Sequence, residues 1–85
     1  MSNKQKREYY KDEVTAAFQR FASTKKTDEE LTAAQINEGA KILISDGSLH
    51  GYCVSDYAKS DKLEYKNPPI KEIYKRIRRG VYVVL

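Results

Sequence analysis

The 85-residue chain has no Trp, one Cys, two Pro and four Gly, and its single histidine is His50. Each shortage excludes something. A lone cysteine, Cys53, cannot close an internal disulfide, so the chain is not a stapled mini-protein. One His and one Cys are too few for an ordinary zinc site. No glycine-rich phosphate-cradling loop and no triad motif is present, and nothing points to a cofactor. No apolar run approaches the length that spans a bilayer. The basic start, Met1 to Arg7, is not followed by the apolar core of a signal peptide. These absences lead us to expect a cytoplasmic protein without a membrane partner. The length leaves room for one domain and excludes barrel and doubly wound enzyme scaffolds. A domain of this size buries roughly 60–65% of its unfolded surface, so its core is thin.

What the chain does have is charge and tyrosine. Charged residues make up 33% and mean hydropathy is −0.75, close to the disordered regime. Seven Tyr and the terminal run Val81-Tyr82-Val83-Val84-Leu85 argue for folding instead. The net charge of +4 is unevenly placed. Residues 1–30 carry seven Lys/Arg and six Asp/Glu, and residues 31–60 carry two and three. Residues 61–85 carry seven against three, so the whole excess lies in the last third. It is densest from Lys66 to Arg79, where Glu72 is the one acid. Such asymmetry marks a surface for a polyanion better than a uniformly basic composition does.

Residues 1–7 read as a flexible start to a single domain spanning 8–85. Tyr10, Val14, Ala17, Phe18 and Phe21 recur at helical spacing and predict a first helix near 6–23. Thr27-Asp28-Glu29-Glu30 has the form of a capping box opening a second helix, which we expect to stop near Gly39. Residues 41–45 and 49–54, separated by turn chemistry at Asp46-Gly47-Ser48, then read as a hairpin. Ser55 to Lys66 is polar and weakly patterned. After Asn67-Pro68-Pro69, the residues Ile70, Ile73, Tyr74 and Ile77 fit helical spacing and predict a third helix over 68–78. Gly80 would cap it, and 81–85 would form a terminal strand. The expected fold is α+β: a small single domain with about three helices packed on a short antiparallel sheet.

On such a helix Lys71, Lys75 and Arg78 share one stripe, with Arg79 beside it. With Lys66 and Arg76 they make a row of cations suited to phosphate contacts and salt-sensitive binding. Tyr74 and Tyr82 lie in the same third and are candidates for stacking on unpaired bases. A Lys/Arg run is also what a solvated helix face looks like, and tyrosines are often half-buried core. The segment Ile-Tyr-Lys-Arg-Ile-Arg-Arg-Gly-Val-Tyr-Val-Val-Leu, residues 73–85, resembles the wing hairpin of winged-helix domains. That resemblance implies a basic strand, a Gly turn and a Val-Tyr strand, with Arg76, Arg78 and Arg79 on the nucleic-acid backbone. Helix and wing strand are incompatible at 76–77. As a short chain rich in Lys and Tyr and without catalytic motifs, the protein is also similar to accessory proteins of large bacteriophages. Some of those bind RNA and act as substitute antitoxins.

Three functional readings follow. The first is a regulatory or inhibitory protein without catalysis that binds RNA or DNA through the 66–79 patch. The second is an antitoxin-like inhibitor or adaptor that docks on an acidic protein surface. The third is a small ribonuclease using His50. On a 49–54 strand His50 and Cys53 would face opposite ways, which argues against a Cys–His dyad. The nearly all-apolar strand 81–85 outruns what so thin a core can cover, so a homodimer is expected.

Overall fold

A computed structural model describes residues 3–59 and 68–85. Helix α1 runs Asn3–Ser23, β1 Leu31–Thr32, α2 Ala33–Lys41, β2 Ala58–Lys59, β3 Tyr74–Arg78 and β4 Val81–Val84. A 3₁₀ turn at Val54–Tyr57 leads into β2. The class is α+β, with two helices and a four-stranded sheet ordered β1-β4-β3-β2 among the described residues. The sheet is mixed rather than antiparallel throughout: β2 and β3 run parallel, whereas β1–β4 and β3–β4 run antiparallel.

Helix α1 follows its apolar spacing. Val14, Ala17, Phe18 and Ala22 are buried, with Tyr10 and Phe21 packed at the margin. The helix extends further back than that spacing predicts. Near its start Arg7 lies over the Tyr52 ring at 4.3 Å, and the Tyr52 hydroxyl donates to the Arg7 carbonyl at 2.9 Å. Helix α2 has a capping box at Thr32 instead of Thr27. The Gln35 amide donates to Thr32 Oγ1 at 3.1 Å, and the Thr32 amide donates to Gln35 Oε1 at 2.8 Å. Two capping signatures lie five positions apart in the chain. Leu31 decides between them by entering the sheet opposite Tyr82.

The helix passes through Gly39 and ends at Lys41. Gly39 therefore does not stop it. A side chain there would overlap the Phe21 ring, so glycine lets the two helices approach. The expected hairpin of 41–45 and 49–54 is absent. The segment turns repeatedly, with Gly47 N–H on the Ile44 carbonyl and Tyr52 N–H on the Leu49 carbonyl.

The expected helix over 68–78 is also absent. Ile70 and Ile73 donate their amides to the Asp56 and Tyr57 carbonyls, and the segment bends at Ile70 and Lys71 before β3 begins. Branched and aromatic residues at 73, 74 and 77 suit a strand as well as a helix, and the sheet offers them partners. Gly80, at φ +73°, serves the tight turn between β3 and β4. Strand β4 lies inside the sheet between β1 and β3.

The core sits between the helices and one face of the sheet. Tyr74 is fully buried and donates its hydroxyl to the Phe18 carbonyl at 2.7 Å. Tyr57 stacks on Phe18 at 4.5 Å between ring centres, and its hydroxyl lies 2.9 Å from Thr15 Oγ1.

Candidate nucleic-acid interface

Alternation along the strands divides the sheet into an inner and an outer face. On the inner side Leu31, Ala58, Tyr74 and Tyr82 are buried. The outer side follows from the register. Lys59 of β2 stands beside Lys75 of β3, and Lys75 stands opposite Val83 of β4. One step along, Arg78 stands opposite Val81, and Val81 opposite Thr32. Lys59, Lys75, Arg78 and Thr32 are exposed, and the two valines are half-buried.

Arg78 reaches this face through a bulge. Arg76 opposes Tyr82, yet Arg78 opposes Val81, so the register shifts between them. In an unbroken strand residues 76 and 78 would share a face. The extra residue, Ile77, turns Arg78 outward beside Lys75, the kind of re-aiming that bulges perform. Arg78 Nη2 pairs with Glu30 Oε1 on the segment leading into β1. Both side chains are more than half exposed, so the pair is a weak restraint on the arginine.

The structure thus separates the residues singled out by sequence. Lys75 and Arg78 share the outer face, and Arg79 sits exposed in the turn. Lys71 is exposed at the bend before β3. Arg76 lies on the inner side, opposite Tyr82, and is half-buried. Tyr74 and Tyr82 are corrections: their rings lie inside the core, where no base can stack on them. Burial pushes the Tyr74 phenol far above its usual range. Lys66 lies outside the described residues. Lys59, which the sequence reading missed, joins the group because a parallel pairing brings residue 59 beside residue 75. No periodicity in a two-residue strand signals that pairing.

His50 and Cys53 occupy a different region. His50 adopts a left-handed backbone, φ +51°, and its ring stacks on Tyr10 at 3.7 Å and 5°. Its Nε2 lies 2.9 Å from Asp46 Oδ2 without hydrogen-bond alignment. Cys53 Sγ lies 2.8 Å from Ser55 Oγ and 3.7 Å from Asp56 Oδ2. The two side chains therefore have separate partners. Neither belongs to a strand, so the expected opposition of their faces across one does not arise. A shallow depression between α2 and the 47–52 loop is lined by Glu38, Lys41, His50 and Tyr52 among others, and holds both charge signs.

Among the described residues no helix is long and apolar enough to cross a membrane. Comparison with protein-family models, with curated proteins and with solved structures finds no match for this chain.

Proposed function

We propose that the protein binds nucleic acid, RNA or DNA, through the outer face of the β3–β4 hairpin, in a regulatory or inhibitory role without catalysis. The observation that carries this reading is the convergence of Lys75, Arg78 and Arg79 on one exposed side and turn of a hairpin. Its inner side is anchored by buried tyrosines. A rigid strand fixes where these cations start, so binding a phosphate chain costs the ordering of their side chains but not of the backbone. Arginine also presents a planar fork suited to phosphate oxygens. With Tyr74 and Tyr82 in the core, the hairpin contacts lie with backbone phosphates, which position a nucleic acid without reading its sequence.

Binding of this kind weakens with salt, by a log–log slope of about −0.9 per phosphate neutralised on duplex DNA. A mobility-shift assay at low salt, with duplex DNA and single-stranded RNA probes of mixed sequence, tests the reading. The expected result is retention by the native chain and its loss in the triple variant Lys75→Ala, Arg78→Ala, Arg79→Ala. Absence of retention by the native chain with either probe overturns it.

A second reading is supported by the apolar residues between the cations. Ile77 is 42% exposed, and Val81 and Val83, opposite Arg78 and Lys75, are half-buried. A protein partner with an acidic rim would use both. Such a partner would be captured undiminished from nuclease-treated lysate.

A further inference from the structure

Lys59 and Lys75 are in direct register on neighbouring strands, which lie about 4.8 Å apart. Like charges set side by side across a sheet destabilise it unless something of opposite charge intervenes. Among the described residues neither lysine has an ion-pair partner. Glu30, an acid on this side of the sheet, is paired with Arg78. The fold therefore sets two exposed lysines side by side on the outer face. The parallel β2–β3 pairing holds them there, itself fixed by Ile73 N–H on the Tyr57 carbonyl at 2.9 Å.

We propose that Lys59 and Lys75 form a two-cation seat for a single phosphodiester group, which makes Lys59 a contact residue of the interface. This rests on the nucleic-acid reading above and deepens it. The seat lies one step along the face from Arg78. A backbone entering at β2 would meet the lysine pair first, then Arg78, then Arg79 at the turn. Lysine suits the first position because an ammonium group is a compact point charge with three donors. Two of them can share the free oxygens of one phosphate. Contacts of this type attract any phosphate chain and carry no base preference.

The seat makes a prediction that an ordinary solvent-exposed lysine does not: Lys59→Gln changes stability and binding in opposite directions. In the free protein it removes the repulsion, and Tm rises by about 1–4 °C. Lys75→Gln gives a similar rise, and the double variant adds little to either single one, because the repulsion can be removed only once. Binding to a mixed-sequence duplex, read by fluorescence anisotropy at low salt, weakens by a factor of about five in Lys59→Gln, and the salt slope falls by about one. Inorganic pyrophosphate at constant ionic strength is the small probe. It raises the Tm of the native chain and leaves that of Lys59→Gln nearly unchanged.

The two proposals fail differently. Suppose the duplex and single-stranded RNA both go unbound while pyrophosphate protection depends on Lys59. The anion seat then stands and the nucleic-acid reading falls. Suppose instead that duplex binding needs Arg78 and Arg79 but Lys59→Gln alters neither binding nor pyrophosphate protection. The seat is then overturned and the nucleic-acid reading stands.

Discussion

Tyr74 joins the two halves of the molecule. Its ring lies under the sheet and its hydroxyl reaches a carbonyl of α1. Burial raises its pKa, and burial also raises that of Tyr57, against a smaller opposing effect of the Thr15 hydrogen bond. A phenol with a raised folded pKa keeps its proton to higher pH when folded than when unfolded. The stability it contributes is complete below about pH 10, the unfolded value, and is lost as pH rises beyond it. Urea unfolding from pH 7 to 11 should therefore show stability falling above about pH 10. Tyr74→Phe should cost about 1 kcal/mol at pH 7 through the lost hydrogen bond, and its decline at high pH should be shallower. Parallel declines for the two proteins would show that Tyr74 does not set the alkaline limb. The sequence legibly marks Tyr74 as part of an apolar stripe. Its residue type also allows a stacking role, and only burial, a property of the assembled core, decides between them.

At the scale of elements, α1 was readable because its helical spacing has no competitor. The segment 70–77 was not, because Ile70, Ile73, Tyr74 and Ile77 satisfy the helical period while consisting of good strand formers. The sheet settles it by supplying β2 and β4 on either side. The bulge at Ile77 conceals the strand's alternation, so the helical period stands out instead. Gly39 shows a similar conflict. Within a helix, glycine is about 1 kcal/mol worse than alanine, yet here it makes room for Phe21. Gly39→Ala should lower stability in the native chain by about 1 kcal/mol, overpacking outweighing propensity. In a Phe21→Ala background the same change should raise it by about 1 kcal/mol. Equal effects of Gly39→Ala in the two backgrounds, measured by thermal unfolding, would contradict the packing role.

At the scale of the whole molecule, helices and buried tyrosines occupy one side of the sheet and exposed cations the other. The sequence signalled the charge but not its geometry. It placed the cations on a helix and grouped Arg76 with Arg78, which the strand separates. It also missed Lys59, sixteen positions before its neighbour Lys75. The apolar run at the C-terminus suggested a second copy to cover it. In the fold that run pairs along β3, and with β1 at Val81 and Tyr82. The central claim is that the outer sheet face is where nucleic acid docks. Its most direct test is an amide chemical-shift titration of the isotope-labelled protein with a short mixed-sequence duplex at low salt. The account predicts shifts concentrated at residues 59, 75, 78 and 79 and their neighbours 81 and 83, with α1 and the 46–53 loop unmoved. Shifts centred on His50 and Tyr52, or none anywhere, would contradict it.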